Sequence, residues 1–100
     1  GTNIEMSADA AKSVTVFLPA HMREQAKNTA EVLTAPGSLM DVIMEVANQF
    51  PDLKEDLLRG IQEREIAIAI NEMITENDPT TRVDAGSEIR LLPAIAGGNK

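Results

Sequence analysis

Apolar and polar positions alternate over residues 13–18: Val14, Val16 and Leu18 fall on one face, Thr15 and Phe17 on the other. A period of two marks a half-buried strand, and Pro19 stops it. After a loop carrying His21, residues 28–34 (NTAEVLT) read as a second strand that makes a hairpin with 13–18. The period then changes. Beyond Pro36-Gly37-Ser38, the residues Leu39, Val42, Ile43, Val46, Ala47 and Phe50 recur at i, i+3, i+4 and i+7, the stripe of a helix buried along one side. Ser38 suits its N-cap, Asp41 three residues on approximates a capping box and complements the dipole, and Pro51 ends it. Residues 52–60 read as a short helical turn, with Leu53, Leu57 and Leu58 inward and Gly60 as its stop.

From Glu65 the period returns to two. Ile66, Ile68 and Ile70 point one way, Ala67 and Ala69 the other. Asn71-Glu72 forms a tight turn into a short strand around Met73 and Ile74. Asp84-Ala85-Gly86-Ser87 forms a second turn, with Gly86 free to take a positive φ. The last strand covers residues 88–92 and ends at Pro93. The predicted order is β-β-α-β-β-β, an α+β fold in which a mixed sheet packs on one main helix and both apolar stripes are buried. Residues 13–95 make the single domain. Residues 1–12 are small, polar and without period, and read as a flexible segment. Met6 looks like a natural start, so residues 1–5 read as a cloning remnant. Residues 96–100 read as a flexible tail.

One hundred residues, 43% of them hydrophobic, suit one modest core. With two phenylalanines and no tryptophan or tyrosine, aliphatic residues and methionine must fill it. The formal charge of −7 argues against sequence-independent nucleic-acid binding, which needs Lys and Arg to neutralise phosphates. The absence of cysteine excludes disulfides, thiolate metal sites and a cysteine nucleophile. No apolar run approaches the ~20 residues of a membrane-spanning helix, and the simplest location is the cytoplasm.

The candidate chemistry lies at the end, in LLPAIAGGNK. Gly97 and Gly98 add nothing to a core, but a chain without side chains passes a narrow channel and presents a backbone carboxyl to another protein's active site. Asn99 and Lys100 follow, so the Gly98 carboxyl is held in a peptide bond. The outward residues of the first and last strands, Phe17 and Leu92, together with Ile95, form a candidate shallow apolar docking patch that continues into the tail. Ala67 and Ala69 keep the face around them low.

The segments VTVFLPA, GSLMDVI, AIAINEMI and DAGSEIRLLPAIAGG, spread over residues 13–98, resemble the ubiquitin-like β-grasp sulfur carriers. This is the MoaD/ThiS-like family, which includes the small subunit of molybdopterin synthase and the thiamin-pathway carrier. The turn DAGSEI followed by LLPAIAGG is most similar to the cysteine-pathway, CysO-like branch. Most members end at the second glycine, and this chain departs by two residues. The resemblance implies a protein that is not itself an enzyme, with no bound cofactor or metal. An E1-like adenylating enzyme would use ATP and Mg²⁺ to convert the Gly98 carboxylate into an acyl-adenylate. A persulfide or sulfide would then leave a thiocarboxylate for a sulfur-accepting synthase. It also implies trimming at Gly98–Asn99, which we expect from a JAMM-type metalloprotease, unless Asn99-Lys100 is itself a cloning remnant.

Other readings meet weaker signals. His21 has no cysteine and no evident triad partner, and Ser38 is better explained as a helix cap than as a nucleophile. Asp52, Glu55 and Asp56 lack the spacing and glycine of a calcium loop and read as a solvated acidic turn. Met40 and Met44, a turn apart, read as edge packing rather than copper ligands. The remaining rivals keep the fold: a ubiquitin-like modifier joined through Gly98 to target lysines, or an interaction module without tail chemistry.

Overall fold

The structure, a computed structural model, describes residues 12–75 and 78–94. The segment before residue 12 and the tail residues Ile95, Gly97, Gly98 and Asn99 lie outside the described residues. The strands are β1 (Val14–Phe17), β2 (Glu31–Thr34), β3 (Gly37–Ser38), β4 (Ile66–Ile70), β5 (Met73–Ile74), β6 (Arg82–Val83) and β7 (Glu88–Pro93). Two helices, α1 (Leu39–Gln49) and α2 (Pro51–Gln62), stand between β3 and β4. The main sheet runs β2-β1-β7-β4-β5, and β3 pairs with β6 in a separate two-stranded ribbon. Among the described strands of this sheet, β1 and β7 are the parallel pair and the other pairs are antiparallel. This is a mixed sheet covered by helices on one face, as the alternation and the helical stripe predict.

Most of each stripe resolves into the expected burial, but Ala69, expected outward, is buried, and Phe50, Leu58 and Ile70, expected inward, are half-buried. Val14, Val16, Ile66, Ile68, Ile89 and Leu91 are buried beneath Leu39, Val42, Ile43, Val46 and Ala47 of α1. Ser38 Oγ accepts the Asp41 N–H at 3.1 Å, and the carbonyls of Thr81 and Pro79 accept the N–H groups of Leu39 and Met40. Three donors that the first helical turn cannot satisfy are thereby satisfied. Both tight turns use left-handed backbone, which Asn71 and Gly86 tolerate and Glu72 does not favour. Asn71 and Glu72 have φ of 50° and 73°, and Gly86 has φ of 87°.

Four expectations need correction. The second strand starts at Glu31 rather than at residue 28, because Lys27 and Asn28 are both left-handed, with φ of 57° and 62°. Two 3₁₀ turns, Ala20–Met22 and Glu24–Ala26, fill the preceding loop. The short helical turn is a twelve-residue helix, so the fold has two main helices rather than one. Pro51 does end α1, since the residue before a proline is disfavoured in helical conformation and Phe50 sits at φ −132°, ψ 82°. It also opens α2, where a missing N–H at the first position costs nothing. Finally, the β3–β6 ribbon is additional to the predicted strands.

Gly60 is the fourth correction. It does not stop the helix but lies buried inside it, against β4. A Cβ added there would stand 2.7 Å from Ile66 Cδ1 and 3.0 Å from Cγ1. Ile66 is itself buried in the core and has little room to withdraw. We expect Gly60→Ala to lower stability by about 1 kcal/mol, the overpacking outweighing the better helix propensity of alanine. Denaturant unfolding checks it; a variant more stable than the parent would contradict the close approach.

Candidate functional site at the root of the tail

β7 delivers the chain to the tail. Its inward residues Ile89 and Leu91 are buried, while Glu88, Arg90 and Leu92 share the outer face. The last described backbone anchor is the Ala94 N–H, which donates to the Glu65 carbonyl at 2.9 Å. Four further residues reach Gly98, a span of at most about 14 Å in extended chain. Any surface that captures the Gly98 carboxyl must therefore come within about that distance of Ala94, at the end of β7.

Strand register assembles that face from residues distant in sequence. Phe17 of β1 pairs with Glu31 of β2 on one side and Arg90 of β7 on the other. Arg90 in turn pairs with Ala69 of β4, and Ala69 with Ile74 of β5. Leu92 pairs with Ala67 one step nearer the tail. The two alanines thus flank β7 with small side chains, leaving Leu92 standing clear and 39% exposed.

Phe17 and Leu92 line one hollow of about 210 Å³ together with Pro19, Arg23, Arg90 and Pro93. Phe17 is half-buried, and the Arg90 guanidinium lies over its ring, 4.4 Å from the centroid. The patch is therefore not purely apolar. A cation over an aromatic face at an exposed site contributes ~0.5–1 kcal/mol, a modest bias toward this placement. Arg23 borders the same hollow and donates from Nε to the Leu18 carbonyl at 3.2 Å. Ile95, the third expected patch residue, lies outside the described residues, as do Gly97, Gly98 and Asn99.

Sequence reasoning missed both arginines. The signal for Arg90 was present in its parity, two residues before Leu92 in one strand. Its position over Phe17 depends on the parallel pairing of the first and last strands, which no local pattern carries.

The residues of the rival readings have structural occupations. Ser38 caps α1, and His21 sits exposed in a 3₁₀ turn. Asp56 accepts from Gln25 Nε2 at 2.7 Å and from Arg59 at 2.6 Å. The hydrogen bond from the Gln25 amide holds the Asp56 carboxyl below its usual pKa, opposed by desolvation and assisted by Arg59. Met40 and Met44 border an apolar groove of about 370 Å³ between the two helices, beside Leu58, Ile61 and Pro79. No helix among the described residues is long and apolar enough to cross a membrane.

A mixed five-stranded sheet under two helices, with its last strand running out beside an exposed hollow, defines the ubiquitin-like β-grasp class. The ThiS family model matches residues 16–98, and the chain belongs to that family of ubiquitin-like sulfur carriers. Among solved structures, the small archaeal modifier protein 1 of Methanosarcina acetivorans is 26% identical. It superposes with a TM-score of 0.67 over 86% of this chain and 96% of its own. CysO of Mycobacterium tuberculosis, described as an antigen, is 22% identical with a TM-score of 0.71, over 82% and 99%. The BexX/CysO complex of Amycolatopsis orientalis gives 22% identity and a TM-score of 0.64 over 85% and 99%. Among curated proteins none matches the chain.

Proposed function

We propose that the chain is a sulfur carrier that works through a thiocarboxylate at Gly98. The carrying observation is the family match, which extends through residue 98 and so takes in both glycines while leaving out Asn99 and Lys100. A JAMM-type metalloprotease first hydrolyses the Gly98–Asn99 bond and frees the carboxylate. An E1-like enzyme then supplies ATP and Mg²⁺. A carboxylate oxygen attacks the α-phosphorus, pyrophosphate leaves, and an acyl-adenylate forms. Sulfide attacks the acyl carbon, the bond to AMP breaks, and the terminus retains one oxygen and one sulfur.

The protein contributes no catalytic group to these steps. Its body holds out the acyl terminus and docks through Phe17, Leu92 and Ile95. Glycine at the reacting end leaves the carbonyl open to attack from either face. The thiocarboxylate is a soft nucleophile that a sulfur-accepting synthase uses to make cysteine, homocysteine or a related metabolite, in the cytoplasm where ATP is abundant. The likeness to CysO, one of whose structures is a complex with BexX, supports a carrier that engages partner enzymes.

A second reading has its own support in the likeness to small archaeal modifier protein 1. On that reading the same adenylate is passed to lysines of target proteins. Intact-mass analysis of the protein from its native cell separates the two. The carrier reading predicts a form lacking Asn99 and Lys100 in which one oxygen is replaced by sulfur. Thiol-resistant adducts of higher mass, with no sulfur-bearing form, would favour the modifier. Persistence of the full-length form beside an active pathway would refute the trimming step.

A further inference from the structure

The hollow at the tail root carries more than apolar surface. The chain has 9 lysines and arginines against 16 aspartates and glutamates, yet Arg23 and Arg90 both border this one hollow. Arg23 is exposed and pairs with no carboxylate among the described residues. Among the described residues the carboxylate nearest Arg90 in an ion pair is Glu88, at 3.9 Å, and the Arg90 side chain stays 43% exposed. Elsewhere the arginine pairs are closer, at 2.6 Å for Arg59–Asp56 and 3.3 Å for Arg82–Asp84. Another carboxylate of this outer face, Glu31, stands across Phe17 in the register, and Glu65, whose carbonyl takes the Ala94 N–H, is exposed at the tail end of β4. Both guanidiniums thus keep donors to offer, beside an apolar wall of Phe17, Leu92 and Pro93.

We propose that this hollow takes a carboxylate-bearing segment of the enzyme that activates the tail, an aspartate or glutamate flanked by an apolar side chain. The carboxylate receives hydrogen bonds from Arg23 and Arg90, and its neighbour covers Leu92. Charge complementarity selects this occupant. A −7 body is drawn broadly to a basic partner surface, so a local positive site that accepts an acid fixes the orientation in which the body lands. Orientation matters here because the terminus has only about 14 Å of extended chain beyond Ala94. An encounter turned to another face leaves Gly98 out of reach of the nucleotide. With the tail held extended into the activating enzyme, the adenylate forms up to about 14 Å beyond Ala94, so the arginines position the carrier and take no part in the chemistry.

The inference rests on the proposed activation at Gly98 for the identity of the partner, and its test reads a step that precedes sulfur transfer. ATP–pyrophosphate exchange by the activating enzyme is measured with the chain ending at Gly98, at low and high salt, alongside melting temperatures. Arg90→Glu and Arg23→Glu should each raise KM for the carrier at least about tenfold with kcat little changed. Arg90→Gln and Arg23→Gln retain bulk and lose charge. They should raise KM about threefold and flatten its salt dependence, and they carry the comparison should a Glu variant fold poorly. Lys54→Glu makes the same charge change on α2, where Lys54 borders a separate hollow, and should stay within about twofold. Arginine variants no different from Lys54→Glu in KM and salt dependence would overturn the proposal. Exchange that depends on the arginines without any sulfur gain would remove the carrier reading and keep the docking site. Sulfur gain with exchange indifferent to the arginines would do the reverse.

Discussion

We expect the chain that ends at Gly98 to undergo adenylation, and the chain that ends at Lys100 to do so at least ~10²-fold more slowly. The difference follows from bonding and position. With Asn99 in place, the Gly98 carbonyl is an amide: it bears no anionic oxygen to attack ATP, and its nitrogen is a poor leaving group. The carboxylate of Lys100 is available, but it stands two residues, up to about 7 Å of extended chain, beyond the position that Gly98 would occupy. Asn99 and Lys100 would also bring side chains into the narrow passage that the glycine pair is proposed to thread. Pyrophosphate exchange with the two forms, at matched concentration, measures the effect directly. Equal rates would show that the glycine pair is not the reacting end.

Leu92→Asp should have the next largest effect. Leu92 is more than a third exposed on the outer face and packs in no part of the buried core, so its loss should change stability by less than about 1 kcal/mol. Docking should suffer far more. A leucine fully covered by a partner contributes ~1.5–3 kcal/mol, and a carboxylate in its place adds a desolvation cost. The new carboxylate would also stand beside Arg23 and Arg90 and occupy donors meant for the partner. We expect KM for activation to rise about thirtyfold or more, against about tenfold for Phe17→Ala, with the melting curve nearly unchanged. Unaltered activation in both variants would dispose of the outer face as a docking surface.

The strands and the first helix were legible because each has a clean period and one buried face. Val14, Val16 and Leu18, the Ile66–Ile68 pair and the Leu39-to-Ala47 stripe all point where their spacing predicts. α2 was read too short although Leu53, Leu57, Leu58 and Ile61 already mark a helical stripe. Gly60 looked like a terminator because glycine is common there, and only the approach of Ile66 shows that it serves close packing. The two-residue strands β3 and β6 are too short to show any period. Lys27 and Asn28 gave no sign that both would turn left-handed. At the candidate site, Phe17 and Leu92 follow from parity alone. The arginines that share their hollow do not, because Arg23 arrives through an irregular loop and Arg90 meets Phe17 through a pairing between opposite ends of the chain.

That this body serves to present an acyl terminus for sulfur loading is tested most directly by one intact-mass measurement. The chain trimmed to Gly98 is incubated with its activating enzyme, ATP, Mg²⁺ and sulfide, and its terminus is weighed. We predict a species in which sulfur replaces one oxygen, lost when Gly97 and Gly98 are deleted. A terminus that stays an ordinary carboxylate while pyrophosphate is released would contradict the account.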